Sequence, residues 1–242
     1  MARQKRELLY QKIEKYIVEK IENETFKYNE KIPSEMDLCK LFGASRMTVN
    51  KALTNLSNSG YIERIPGKGS FVRAFQVEKK IPEMISFSEE LERAGMVPSS
   101  RLLHYSIIKA GDCREIAKKI LAGPEEMLHY FVRLRCGDGK VLAVSYNYVR
   151  VAIVPMLDIN CLQESFYRYL EDSLKLSLGY NDPTIQVVTP SEEIRELLHL
   201  KKDMEAVKSS HVSFLTNNTP FEYTETFYNP KQYKFSYRCY RK

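Results

Sequence analysis

Two sets of basic and polar side chains in this sequence are spaced for chemistry. In "LFGASRMTVNKAL", residues 41–53, Arg46, Thr48, Asn50 and Lys51 crowd one helix-length stretch whose core-suited residues are Val49 and Leu53. A guanidinium matches the O6 and N7 of guanine, a carboxamide the N6 and N7 of adenine, and hydroxyl or ammonium groups suit phosphates or bases. That is equipment for reading DNA. In "VRLRC", Arg133 and Arg135 lie two apart in an alternating stretch. On a strand they share one face, while Val132 and Leu134 take the other. Two guanidiniums on one face with no acid between them require either an anion or solvent.

The charge distribution supports the first set. The net charge of +6 is concentrated: residues 1–39 carry 8 Lys/Arg and 8 Asp/Glu, and residues 76–242 carry 23 against 22. Residues 40–75 carry Lys40, Arg46, Lys51, Arg64, Lys68 and Arg73 against Glu63 alone, a local excess of +5. A basic patch confined to one short segment suits a polyanion, and nucleic acid is the usual one.

The elements around these residues follow from periodicity. Leu9, Ile13, Ile17 and Ile21 recur every four residues, which predicts an amphipathic helix. Ser34 and Asp37 have capping-box spacing ahead of a helix whose apolar face is Leu38, Leu41 and Phe42, ended by Gly43. Ser45 caps the next helix, held by Val49, Ala52, Leu53 and Leu56 and ended by Gly60. Two short helices joined through "GAS" make a helix-turn-helix, and "YIERIPGKGSFVR" alternates through a tight turn as a small hairpin would. Three helices plus a basic hairpin is the plan of a winged helix. Its second helix-turn-helix element would enter the major groove N-terminus first. The hairpin tip, Gly67-Lys68-Gly69, would bring a cation to DNA unobstructed.

"AFQVEKKIPEM" then reads as a polar linker. Beyond it we expect a helix in "SFSEELERAGM", a strand in "SRLLHYSIIKA", a helix in "CREIAKKILAG" and a hairpin about "CGDGK". A helix in "LQESFYRYLEDSL", a strand in "TIQVVTP", a helix in "SEEIRELLHL" and a second hairpin turning at "NNTP" complete the chain. Interspersed helices and hairpins indicate an antiparallel α+β domain. The expected division is 1–74 winged helix-turn-helix, 75–84 linker and 85–242 effector-binding and dimerisation domain.

Some classes are excluded by what the sequence lacks. Apolar runs fall far short of the roughly 20 residues that span a bilayer, and the basic N-terminus has no signal-peptide core. Five widely spaced cysteines without a CxxC pair argue for reduced thiols in a cytoplasmic protein. His104, His129, His199 and His211 have no metal-ligand spacing and read as structural or surface residues. No cofactor, metal or catalytic residue is expected.

"KIPSEMDLCKLFGASRMTVNKALTNLSNSGYIERIPGKGSFV" resembles the N-terminal signature of GntR-type bacterial transcription regulators, combining PSE, SRxTV and GKGSFV at the family's intervals. "SFSEELERAGMVPSSRLL", "VRLR", "ESFYRYL" and "FEYTETFY…QYKF" resemble the effector (UTRA) domain of its HutC-type branch, with a chorismate-lyase-like α+β fold. The resemblance spans roughly residues 8–236. It implies a DNA-contacting set of Ser34, Ser45, Arg46, Thr48, Asn50, Lys51, Lys68 and Gly69. It also implies an effector set of Phe87, Ser88, Arg133, Arg135, Ser165, Tyr167, Glu222 and Tyr228, with the arginine pair on a phosphate. Met36 and Asn50 stand where the family commonly has arginine. Ser145 stands where sugar-sensing members often have glutamate, and Asn229-Pro230-Lys231-Gln232 replaces an Arg-Gly-Asp-Arg-type stretch.

The function expected is a ligand-responsive, homodimeric repressor binding a near-palindromic double-stranded operator and a small anion, foremost an amino-sugar phosphate. The alternatives are a carboxylate effector, a constitutive DNA-binding dimer, and a lyase-like enzyme.

Overall fold

The computed structural model describes residues 8–242 apart from 24, 59, 74–76, 81–82, 240 and 242. The chain divides into two compact units, Met1–Phe75 and Gln76–Lys242.

The first unit holds α1 (Leu9–Glu22), α2 (Glu35–Phe42), α3 (Arg46–Asn58), β1 (Ile62–Ile65) and β2 (Gly69–Val72). Its core is one cluster in which Ile13 and Ile17 of α1, Leu38 of α2, and Val49, Ala52, Leu53 and Leu56 of α3 meet Ile62 and Val72 of the wing. These are the stripes the periodicity predicts. Leu9 and Leu41 are the exceptions: Leu9 is exposed at the first residue of α1, and Leu41 is exposed because eight residues of α2 bury only one side and Leu38 occupies it. Ser34 caps α2 through its Oγ, which accepts from the Asp37 N–H at 3.2 Å. Gly43, at φ 58°, closes α2 in the left-handed region where a Cβ would be strained. β1 and β2 pair antiparallel, and a bridge from Lys31 to Phe71 widens the wing.

The second unit is built on an antiparallel sheet of β4 (Pro98–Lys109), β5 (Met127–Gly137), β6 (Lys140–Arg150), β10 (Pro220–Tyr228), β9 (Ala206–Leu215) and β7 (Leu178–Asn181), in that order. β8 (Thr184–Val188) pairs with β9, and the short β3 (Val77–Lys80) pairs in parallel with β11 (Tyr233–Ser236). Short helices α4 (Phe87–Arg93), α5 (Arg114–Lys119), α6 (Phe166–Arg168) and α7 (Glu192–Leu197) lie between strands. One sheet face packs Val132, Leu134 and Val144 against Ile194 and Leu198 of the α7 region. The segment 159–173 packs Leu162, Phe166 and Leu170 on Phe131, Val149 and Phe221.

Two expectations need revision. Residues 77–80, read as linker, form β3; its partner β11 is more than 150 residues away in sequence, so no local pattern announces it. Residues 75, 76, 81 and 82 of that linker lie outside the described residues. "LQESFYRYLEDSL" is not one helix: a 3₁₀ turn (Ile159–Gln163), α6 and a π turn (Tyr169–Ser173) follow one another. Ser165 breaks the run by capping α6 with its own side chain.

Candidate functional site

The first unit presents its polar set around the start of α3. Ser45 Oγ accepts from the Thr48 N–H at 3.2 Å and lies 2.9 Å from Thr48 Oγ1, so both hydroxyls are engaged in capping. Arg46 is exposed and has no side-chain partner among the described residues, leaving its fork available. Lys51 instead sits over the Tyr10 ring, its Nζ 4.2 Å from the centroid. Asn50 is bound on its carbonyl side by Arg64 Nη1 at 2.8 Å. Lys68 and Gly69 are exposed at the wing tip. Gly69 has φ 117°, and a Cβ there would come within 2.7 Å of Lys31 Cε. Met47, 85% exposed on the same helix end, was missed as a candidate; an apolar side chain there suits a thymine methyl.

The second unit carries a pocket on the sheet face opposite α7. Strand register explains its composition. Arg133 pairs with Ser145, Ser145 with Thr226, and Thr226 with Ser209, forming one rung across β5, β6, β10 and β9. The neighbouring rung runs Phe131, Asn147, Thr224, His211. With a side-chain period of two, both rungs turn the same face to the pocket. Arg133, Arg135, Ser145, Asn147, Glu222 and Tyr228 line it together with Phe87 and Tyr167.

Electrostatically the site is lopsided. Arg133 and Arg135 are 5% and 4% exposed, and neither makes an ion pair or hydrogen bond to a carboxylate among the described residues. Arg133 Nε and Nη1, Arg135 Nη1, Ser145 Oγ and Asn147 Oδ1 are all buried without a hydrogen-bond partner among the described residues. Burial pushes the Arg133 guanidinium down to about 10, against the opposing pull of Glu222. It pushes Arg135 well down too, reinforced by the Arg133 charge. Arg135 rests on the Phe87 ring at 4.4 Å. Each unpaired buried donor costs about 1–3 kcal/mol, and such a group of donors in one wall has the chemistry to accommodate an anionic acceptor.

Glu222 is differently placed. Asn147 Nδ2 donates to its Oε1 at 2.9 Å and Tyr167 OH to its Oε2 at 2.9 Å. Burial raises its carboxyl, and these hydrogen bonds oppose the rise. Also lining the pocket, Lys79 Nζ donates to Glu90 Oε2 at 3.1 Å and to Tyr228 OH at 3.5 Å. Burial lowers the Lys79 ammonium, but Tyr228 and Glu90 together hold it above its ordinary value.

Six of the eight expected effector residues therefore converge. Ser88 and Ser165 do not line the pocket. Ser88 is buried within α4 while Ser86, the cap of that helix, faces the pocket, and Ser165 is turned to the α6 backbone. Lys79, Asn147, Thr224, Thr226, Ser209 and His211 were missed as pocket residues, and Ser145, noted only as a departure from the family pattern, lines the pocket with them. The alternation of "SYNYV" and "TETFY" marked their shared face, but only register revealed which face. His211 is a pocket residue rather than a bland one; burial, with the Lys79 charge, lowers it to about 4.

A winged helix-turn-helix unit with an exposed polar helix start, followed by an antiparallel sheet domain with a buried arginine-lined pocket, is the architecture of a DNA-binding transcription regulator. The profile of the gntR family of bacterial regulatory proteins matches residues 9–72, and that of the UTRA domain matches residues 93–234. The chain belongs to the GntR family, in its UTRA-containing branch, whose members are regulators rather than enzymes. It is similar to the transcriptional repressor NagR of Bacillus subtilis, 26% identical over 94% of this chain and 93% of that protein. It is also similar to the mannosyl-D-glycerate transport/metabolism system repressor MngR of Escherichia coli, 27% identical over 97% of each. The crystal structure of YydK from Bacillus subtilis matches with a TM-score of 0.60 and 26% identity, covering 96% of this chain and 100% of that one. Among the described residues no helix is long and apolar enough to cross a membrane, and no group of side chains is arranged to hold a metal ion.

Proposed function

We propose that this regulator is a cytoplasmic, homodimeric repressor whose second unit senses a sugar phosphate. The observation that carries this reading is the buried arginine pair with its unpartnered donors. A phosphoryl group offers several strong acceptors and the charge to offset two desolvated guanidiniums. The hydroxyl-rich wall of Ser145, Thr224, Thr226 and Ser209 suits a polyol, with Glu222 for a hydroxyl or ammonium group. That one relative represses a mannosyl-D-glycerate system is in keeping with a sugar-derived effector.

In the first unit, Arg46, Asn50 and the wing-tip Lys68 contact an operator in the major groove and along its backbone, with Ser34, Ser45, Thr48 and Gly69 shaping the approach. Two copies related by a two-fold axis require a near-palindromic site. Ligand alters operator affinity only to the extent that it binds the two states differently.

A thermal-shift panel of sugar phosphates, free sugars and carboxylates, run with wild type and Arg133→Ala, tests this. A sugar phosphate that stabilises wild type, releases operator DNA and has no effect on the variant is expected. Stabilisation by carboxylates alone would replace the sugar phosphate with a carboxylate effector. Operator affinity that no anion changes would leave a constitutive DNA-binding dimer.

A further inference from the structure

Asn50 projects from the exposed side of α3, one turn beyond Arg46. Its Oδ1 accepts from Arg64 Nη1 at 2.8 Å and from Thr54 Oγ1 at 3.3 Å. Arg64 lies on β1 of the wing and is itself held from a third side, where Nη2 meets Glu35 Oε1 at 2.6 Å at the start of α2. The same Nη1 also donates to Thr54 Oγ1 at 3.1 Å, so one guanidinium ties the wing, α2 and α3 together around this amide.

A carboxamide oxygen has two lone pairs, and here both are taken. The amide therefore has a fixed sense. Oδ1 faces the protein, and Nδ2, with two N–H donors, has no protein partner among the described residues. Adenine recognition by asparagine needs Oδ1 to accept from N6 while Nδ2 donates to N7. With Oδ1 occupied, the adenine amino group would be left unpaired against it, and an unpaired polar group is what a specific site rejects most strongly. Guanine presents O6 and N7, two acceptors on the same edge, which match two donors.

Resting on the proposed operator reading, we infer that Asn50 is a donor-only reader that selects guanine, with Arg64 as the positioning residue that sets its orientation. This reverses the adenine preference that the residue type alone suggests. It also gives Arg64 a role in sequence choice without any base contact of its own.

The test is selection of full-length wild type, Asn50→Ala, Arg64→Met and Thr54→Val from a pool of randomised duplexes, followed by sequencing. Wild type should enrich one G·C pair per half-site about tenfold over A·T, the usual scale of one mismatch. Asn50→Ala should flatten that pair alone. Arg64→Met should admit A·T there while leaving the other positions unchanged, and Thr54→Val, which frees one lone pair, should shift the preference the same way. The inference is overturned if wild type takes A·T at the pair that Asn50→Ala flattens. It is equally overturned if Asn50→Ala flattens no pair, or if both lock-opening variants keep the full guanine preference. Wild type that enriches no sequence at all would remove the operator reading, and this inference with it.

Discussion

Replacing Arg135 with methionine should make the ligand-free protein more stable and abolish its response to phosphate. Arg135 is 4% exposed, its Nη1 has no acceptor among the described residues, and the Arg133 charge lies close enough to depress it further. Removing one unsatisfied buried donor recovers about 1–3 kcal/mol, and apolar replacement of buried charge is often stabilising by a similar amount. Against this stands the cation–π contact with Phe87 at 4.4 Å. That contact is worth up to about 2 kcal/mol when desolvated, and a methionine sulfur on the same ring restores about 0.3–1.5 kcal/mol of it. The balance is a gain of about 1 kcal/mol, or roughly 2–4 °C in Tm for a unit of this size. Phosphate at a hundredfold excess over its Kd adds about 2.7 kcal/mol to wild type and nothing to the variant, so the order of stability should invert on adding it. Scanning calorimetry of both proteins with and without inorganic phosphate reads the crossover directly. A variant that melts lower without phosphate, yet shifts as much as wild type with it, would refute the assignment of the arginine pair as an anion site.

Other perturbations separate the remaining parts. The His211 imidazole is lowered from 6.5 to about 4 by burial and Lys79. Its neutral form therefore contributes stability that is fully present above 6.5 and is lost as pH falls to about 4, on the order of 3 kcal/mol. Urea midpoints measured across that window should fall in wild type and stay flatter in His211→Gln. Lys68→Ala at the wing tip should weaken DNA binding evenly across sequences and reduce the salt slope by about 1, seen by titration at several salt concentrations. Arg46→Ala should instead cost about 1–3 kcal/mol on the preferred operator and relax one position, seen in competition binding. Ser34→Ala removes the cap on α2 and should lower stability by about 1 kcal/mol in denaturant unfolding.

Much of the architecture was written locally. The stripes of α1 and α3, the cap at Ser34, the glycine turns and both hairpins of the second unit rest on interactions within a few residues, so spacing alone located them. The pairing of Arg133 with Arg135 on one face followed in the same way from the strand period. Tertiary structure decided what surrounds those residues. β3 and β11 exist because two distant segments meet, and Lys79 reaches the pocket only through that pairing. His211, Ser145 and Asn147 became pocket residues through cross-strand register, a property of neighbouring strands that no single segment contains. Asn50 makes the same point on a smaller scale. Its type and place on α3 can be read from the sequence, but the direction of its amide is set by Arg64 from the wing and, through Arg64, by Glu35 from α2. Local periodicity fixes which side chains share a face; long-range packing fixes which lone pairs and charges remain free to act.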